Sequence, residues 1–310
     1  MQPVVYVVVV NYNCQHWLGA CFETLLATDY PNFKAVLVDN ASTDGSAEFV
    51  RSRFPRVEVM DNDANYGFSI GNNIGTEAAL AAGADYVVLL NSDTKVEPQW
   101  LSELISVGER EPGVGILGPV QLRYDGDEVE FNTWTTTAAR AHLAELREPE
   151  RARPWIPVEW VEGSCFAVKR RVWEEIGLLD PTYFMFYEEI DFCRRAAYCG
   201  YRTGLVPRSR IRHYRGGYWE ASPKTKRRRA YHSDHSQFIY TLTEPRRSLA
   251  GNFGWYLITL GTKGKEVLSN FSLLRAWDLL RLQFVLLKEV GVLMHKWRRD
   301  RLLPRRELIT

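Results

Sequence analysis

Three carboxylates, Glu188, Glu189 and Asp191, stand inside the aromatic stretch YFMFYEEIDFCRR that runs from Tyr183 to Arg195. Acidic side chains are seldom buried without partners. Such a cluster is either the polar start of a helix or a set of groups held ready to take a proton. A second candidate is Asn91-Ser92-Asp93, where Asp93 follows a buried apolar run. A carboxylate there can hold a divalent cation that neutralises a diphosphate, although an Asx turn would use the same residues. In VDNASTDGS, Asp39 can accept from a pyrimidine N3–H with Asn40 beside it, and in ANYGFSIGNNIG, Gly67, Gly71 and Gly75 permit close backbone approach while Asn65 and Asn72 add polar contacts. That glycine spacing is not G-x-G-x-x-G, and alone it identifies nothing.

The elements that must position these residues are legible from periodicity. Val4–Val10 is a β-branched run suited to a central parallel strand. Trp17 to Leu26 repeats at helical spacing and stops at Asp29-Tyr30-Pro31; Ala35–Val38, Val57–Met60 and Tyr86–Leu90 are further strands. Helices are expected from a Ser42 or Thr43 cap to about Phe54, and from Gly71 to Ala82. This alternation predicts a doubly wound α/β sheet with a mostly parallel core. Ligands of such sheets lie beyond the carboxyl ends of the strands. Here those ends read Asn11-Tyr12-Asn13, Asp39-Asn40, Asn62-Asp63-Ala64-Asn65 and Asn91-Ser92-Asp93, a polar rim. Farther on, a helix over 98–110, strands over 115–120, 160–168 and 201–206, and helices over 170–176 and 188–199 follow, with a variable loop over 122–157.

The chain has 310 residues, 45% hydrophobic and 25% charged, enough for one large domain with an appendage. Five scattered cysteines, none in a C-x-x-C pair, point to reduced thiols rather than disulfides or zinc. The first residues read as a buried strand instead of a signal peptide, and no uncharged apolar stretch reaches the roughly 20 residues a span requires. These features predict a cytoplasmic protein. The net charge of +1 hides an asymmetry: from Arg208 onward there are 22 Lys and Arg against 8 Asp and Glu, leaving 17 against 30 before it. A basic tail on an acidic body suggests an anionic partner.

In order and spacing, VVVVNYN, VDNASTDGS, ANYGFSIGNN, LLNSDT and EGSCFAVKRRVWEEIGLLDPTYFMFYEEIDFCRRAAYCGYRTGLVP resemble the family 2 glycosyltransferases of GT-A fold, most of all the rhamnosyltransferase and galactofuranosyltransferase branch. The resemblance covers about residues 4–215. It implies a Rossmann-like catalytic domain over 1–215, with a nucleotide-sugar half to about 120 and an acceptor half to 215, followed by a basic helical extension over 216–310. It further implies inverting transfer from a nucleoside-diphosphate sugar, dTDP-rhamnose or a UDP-sugar, to a cell-surface glycan or lipid-linked acceptor. Tyr12 and Asp39 would hold the base, with Asn13, Asn40, Asn65, Gly67, Asn72 and Asn91 completing the donor site. Asn91-Ser92-Asp93 would occupy the metal-binding D-x-D position, with Asn91 replacing the first Asp, so Asp93 and His213 would carry Mn2+ or Mg2+. Glu189 takes the second place of the family's acidic pair and is the first candidate for general base, Asp191 is the alternate, and Glu188 would contact acceptor hydroxyls.

Two other readings fit less of the sequence. A sugar-phosphate nucleotidyltransferase would need a basic, Gly-rich loop near the start, and residues 11–16 contain no Lys, Arg or Gly. A nucleic-acid-binding protein would leave the acidic rim unexplained. The tail itself predicts peripheral contact with the inner face of an anionic membrane. KTKRRR at 224–229 precedes an apolar helical face of Leu273, Leu274, Trp277, Leu280, Phe284, Leu287 and 290–292, interleaved with Arg275, Arg281 and Lys288 and followed by Lys296, Arg298, Arg299, Arg301, Arg305 and Arg306. The alternative is that this face packs on the catalytic domain or on a second copy of the chain as a homo-oligomer. Trp219 and nearby Tyr residues could line the acceptor site.

Overall fold

The computed structural model describes residues 2–130, 137–215, 222–270 and 272–304. Trp219, Arg305 and Arg306 lie outside them.

The first 123 residues alternate as read: β1 (Val5–Asn11), α1 (Gln15–Leu26), β2 (Phe33–Asp39), α2 (Ser46–Arg53), β3 (Glu58–Asp61), α3 (Gly67–Ala81), β4 (Tyr86–Asn91), β5 (Thr94–Val96), α4 (Trp100–Arg110) and β6 (Val114–Arg123). The loop region holds the short helices α5 (Thr137–Ala141) and α6 (Leu143–Arg147) and the strand β7 (Ile156–Val158). After these come β8 (Cys165–Lys169), α7 (Arg170–Ile176), α8 (Glu188–Tyr198) and β9 (Arg202–His213). Three long helices close the chain: α9 (Pro223–Leu242), α10 (Leu249–Ser269) and α11 (Leu273–Arg301).

The nine strands form one sheet in the order β3-β2-β1-β4-β8-β6-β9-β5, with β7 on β9. β3, β2, β1 and β4 are parallel. β8 runs antiparallel to both β4 and β6, and β9 is parallel to β6 but antiparallel to β5 and β7. The expectation of a mostly parallel sheet therefore holds for the first half, and the whole sheet is mixed. Both faces are covered, as the continuous β-branched strands require. α1, α2 and α4 pack on one face around Leu18, Phe22 and Trp100, and α3, α7 and α8 on the other around Phe166, Trp173 and Phe192.

Register brings the strand ends level. Asn11 pairs with Asp39, and Val10 with Asn91. β9 runs seven residues past the expected end at Val206 and places His213 opposite Thr94, immediately after Asp93. The helix expected from Ser42 starts instead at Ser46, after Gly45 in the left-handed region. Ser42 is occupied elsewhere, donating to Asp39 Oδ1 at 2.7 Å and accepting from the Asn13 N–H at 2.9 Å.

Candidate active site

One pocket opens along the carboxyl rim of the parallel strands. Tyr12, Asn40, Asn65 and Gly67 line one side, Asn91, Ser92, Asp93 and His213 the floor, and Glu188 and Glu189 the opposite wall. The sequence reading thus names nine residues or more of one continuous cavity, drawn from six segments of chain. Sequence reasoning missed Glu162, Ser164, Arg215, Arg228 and Arg229, which also line it. Glu162 and Ser164 flank Gly163 in the EGS motif, a visible signal; Arg228 and Arg229 are hidden in a basic run that reads as part of a tail for an anionic membrane.

The donor side is built from asparagine amides and one glycine. Asn40 Nδ2 donates to the Gly67 carbonyl at 3.0 Å, and Asn65 Oδ1 accepts from the Gly67 N–H at 3.0 Å. Gly67 has φ +81°, and a Cβ there would lie 2.4 Å from the Phe184 carbonyl oxygen. That oxygen also accepts from the Phe68 N–H at 2.7 Å. Only glycine lets the start of α3 sit this close to the aromatic run that precedes α8.

Three expected donor residues are placed in the scaffold behind the pocket. Asp39 is buried, its Oδ1 accepting from Asn11 Nδ2 at 3.0 Å and its Oδ2 from the Ser42 N–H at 2.8 Å. Asn13 Oδ1 accepts from the Thr43 N–H at 2.8 Å, and Asn72 Nδ2 donates to the Phe68 carbonyl at 2.9 Å. None of the three lines the pocket. Each ties loop to loop or helix to itself, the ordinary work of Asn and Asp at strand ends.

Asp93 and His213 converge on the floor. His213 Nε2 is 3.2 Å from Asp93 Oδ1, and Asn91 Nδ2 is 3.4 Å from the same nitrogen. The other ring nitrogen, Nδ1, is 3.2 Å from Gln121 Oε1, which also accepts from Arg215 Nη2 at 2.8 Å. Arginine only donates, so it fixes the amide oxygen toward His213, and Nδ1 must carry a proton. Nε2 then faces the carboxylate either as an imidazolium N–H or with a lone pair free for a cation. This is the second-sphere arrangement that orients a metal-binding imidazole. Burial raises the Asp93 pKa, but the His213 charge and hydrogen bond outweigh it, and the carboxyl stays below its usual range. Among the described residues no group of three or more His, Cys, Asp and Glu could hold an ion. The two present fit Mg2+ or Mn2+, which are commonly held by one or two protein ligands with substrate phosphate oxygens completing the shell.

The opposite wall separates the three acidic residues: Glu188 and Glu189 line the pocket and Asp191 does not. Phe186 and Tyr187 both adopt positive φ, 69° and 68°, and turn the chain sharply into α8. Such strain in non-glycine residues concentrates at functional sites. Glu188 is buried and Glu189 half-buried, and the Oε2 of each finds no hydrogen-bond partner among the described residues. Burial, then the charge of Glu189, pushes Glu188 well above the usual carboxyl range. Glu189 is pushed by burial up to about 7, with backbone N–H groups at the helix start and at Gly163 holding it back and Glu162 raising it. Both shifts run in the direction that favours the protonated form.

Asp191 is corrected as an alternate base. Successive residues two apart on a helix do not share a face, and Asp191 points away from Glu189 into a buried ionic cluster. It accepts from Arg194 Nη2 at 2.7 Å and Arg195 Nε at 2.9 Å, and lies 2.9 Å from Lys296 Nζ. Burial alone would raise its pKa, but Lys296, Arg194 and Arg195 together hold it far below the usual range. A fully ion-paired carboxylate of this kind cannot take a proton near neutrality. The spacing to Arg194 and Arg195, i+3 and i+4, was the sequence signal for this role.

With this geometry in hand, comparison with known proteins decides the family. The model named "Glycosyltransferase like family 2" matches residues 2–232. The chain belongs to this family. Similar curated proteins include the N-acetylglucosaminyl-diphospho-decaprenol L-rhamnosyltransferase of Mycobacterium tuberculosis, 29% identical over 69% of this chain and 77% of that one. The dTDP-rhamnosyl transferase RfbF of Shigella flexneri is 21% identical over 69% of this chain and 70% of its own. These relatives support a rhamnosyltransferase-like branch of the family 2 glycosyltransferases. Among solved structures, S. aureus TarS 1-349 in complex with UDP aligns with a TM-score of 0.58 at 14% identity, over 96% of this chain and 88% of that one. The mannosyltransferase PcManGT from Pyrobaculum calidifontis, in complex with GDP-Man and Mn2+, aligns with a TM-score of 0.57 at 18% identity, over 97% and 85%. The fold is GT-A with C-terminal helices, and the chain is a glycosyltransferase.

Proposed function

We propose that this glycosyltransferase inverts the anomeric centre of a nucleoside-diphosphate sugar, dTDP-rhamnose or a UDP-sugar, while passing the sugar to a hydroxyl of a cell-surface glycan or lipid-linked saccharide. The place of reaction is the cytoplasmic face of the membrane that presents such an acceptor. The observation that carries the reading is the pairing of Glu189, with its pKa pushed up to about 7, and the Asp93–His213 pair on two walls of one pocket. A base near neutral pKa combines availability with driving force for proton removal.

Tyr12, Asn40 and Asn65 would hold the nucleoside end, and Asp93 and His213 would hold Mg2+ or Mn2+. The cation supplies charge that stabilises the departing diphosphate. Glu189 Oε2 accepts the proton of the acceptor hydroxyl, and Glu188, kept protonated, donates toward Glu189 or toward the acceptor and keeps a second negative charge out of the wall. Phe184, Phe186 and Tyr187 line this end of the pocket and give a sugar ring an apolar face to rest on. In-line attack from the Glu189 wall, opposite the leaving diphosphate, inverts the configuration without a covalent enzyme intermediate.

A thermal-shift panel of nucleotide sugars, with and without Mn2+ or Mg2+, tests the donor half. A ligand of the native state raises the melting temperature. A dTDP- or UDP-sugar is expected to do so only with metal, and Asp93→Ala is expected to abolish the metal-dependent part. Equal shifts with metal and with chelator would contradict the assignment of Asp93 and His213.

A further inference from the structure

The C-terminal helices divide their apolar residues between two faces. Leu282, Leu286 and Leu293 of α11 are buried with Phe238 and Ile239 of α9 and Tyr183 of the catalytic body. The opposite face of α11 is bare: Leu273, Trp277, Leu280, Phe284 and Leu287 follow one another at spacings of 4, 3, 4 and 3, and Trp277, Phe284 and Leu287 are 65%, 66% and 68% exposed. α10 beside it is also apolar and exposed. Its first 14 residues, LAGNFGWYLITLGT, carry no charge, and Phe253, Trp255, Leu257 and Ile258 are all exposed. A soluble monomer rarely exposes such a stripe of large apolar side chains along one helix without a partner for it. The packing of this face on the catalytic domain is thereby ruled out among the described residues.

Charge selects the partner. The three acidic residues of α11 are engaged within the chain: Asp278 with Arg227, Glu289 with His235, and Asp300 with Lys296 and Arg299. Arg281, Lys288 and Arg298, in contrast, are exposed and make no ion pair among the described residues. Arg281 and Lys288 each follow a stripe residue directly. If two copies paired antiparallel along the stripe, these like charges would meet across the seam. Parallel pairing would set them against Ala276 and Gln283, with no acidic complement. An anionic headgroup layer satisfies both features at once, taking the aromatic and aliphatic side chains below and the cations at its surface. No described helix is long and apolar enough to cross a membrane, so the face would lie in the interface.

We infer that the outer face of α10 and α11 docks this enzyme on an anionic lipid bilayer. α10 and α11 pack on α9, which also contributes Arg228 and Arg229 to the pocket wall, so the docked surface and the pocket mouth belong to one helical unit. The inference deepens the proposal of a lipid-presented acceptor and rests on it for its purpose, though the surface argument stands on α10 and α11 alone.

Sedimentation of the full chain with vesicles tests it. The protein is expected to bind phosphatidylcholine vesicles containing phosphatidylglycerol, more weakly as salt rises, and to bind pure phosphatidylcholine much less. Trp277→Glu with Phe284→Glu is expected to lower partitioning by about tenfold or more, and Arg281→Gln with Lys288→Gln to flatten the salt dependence. Both variants are expected to keep the metal-dependent nucleotide thermal shift, which certifies their folding. No binding of the full chain to anionic vesicles at low salt would overturn the inference. A dimer in sedimentation velocity that Trp277→Glu with Phe284→Glu dissociates would also overturn it, assigning the face to a second copy. Vesicle binding without any nucleotide response would instead sink the transfer reading and leave the docking surface standing.

Discussion

A carboxyl group buried in the pocket wall keeps its proton to higher pH, and that has a cost in stability with a definite sign. Glu189 has a folded pKa of about 7 against an ordinary value near 4.3. Between those values the folded chain holds a proton that the unfolded chain has released, so stability falls as pH rises through this window. Glu188→Gln removes a second buried carboxyl, whose own pKa burial and then the Glu189 charge push up. It is expected to raise the melting temperature at pH 8 by on the order of a few degrees and to change it little at pH 4; differential scanning calorimetry at the two values checks this. At the floor, the ring of His213 is oriented from behind by Gln121. Gln121→Leu removes the acceptor that fixes the ring. Calorimetric titration of Mn2+ in the presence of nucleotide is expected to show binding weakened by roughly 10–100-fold in this variant, and unchanged affinity would contradict the tautomer argument.

At the scale of elements, α3 and α8 meet across Gly67, and α8 is anchored from behind. Gly67→Ala places a methyl group on the Phe184 carbonyl in a backbone region that costs a β-carbon residue additional energy. It is expected to lower both the melting temperature and the nucleotide-induced shift, whereas Gly83→Ala, which has open space around it, is expected to change nucleotide binding little. Behind α8, Lys296 is 2% exposed and contacts Asp180, Asp191 and Asp300. Breaking a buried ionic group by removing one partner typically costs about 3–5 kcal/mol. Asp191→Asn is therefore expected to melt well below the native chain, while the molecules still folded at low temperature show the same inflection near pH 7 in their rate. Loss of that inflection would return Asp191 to candidacy as base. Because burial is outweighed by Lys296 and Arg299, Asp180 is held down to about 2, and this part of the stability, present above an ordinary Asp pKa, is lost as pH falls toward 2.

For the molecule as a whole, the catalytic body and the C-terminal helices are joined by that ionic cluster, so the boundary near residue 215 separates sequences of different composition, not independent structures. Lys296 and Arg299 read from the sequence as part of a basic tail for an anionic surface. Besides the neighbouring Asp300, their carboxylate partners Asp191 and Asp180 lie 105 and 119 residues away, and no local pattern reveals a contact of that range. The outward stripe at Trp277 and Phe284 was legible because helical periodicity is local. The strand–helix alternation and the polar rim were legible for the same reason, as was the place of Asp93 and Glu189 on one pocket. Asp39, Asn13 and Asn72 were misplaced because a polar residue at a strand end serves a turn and a ligand with the same chemistry, and only the hydrogen-bond partners separate the two. The antiparallel insertion of β8 was hidden, since pairing direction leaves little trace in a five-residue buried strand.

The central claim is that Glu189 takes the acceptor proton in a sugar transfer, and its most direct test is the pH dependence of donor turnover by the native chain and Glu189→Gln, followed as nucleoside diphosphate released in the presence of acceptor and Mn2+. The native rate is expected to rise with pH through about 7, as the base loses its proton, and then level. Glu189→Gln is expected to bind nucleotide normally and to turn over ~10²–10⁴-fold more slowly, without that rise. Turnover by Glu189→Gln within a few-fold of the native rate, with the same rise through neutral pH, would contradict it.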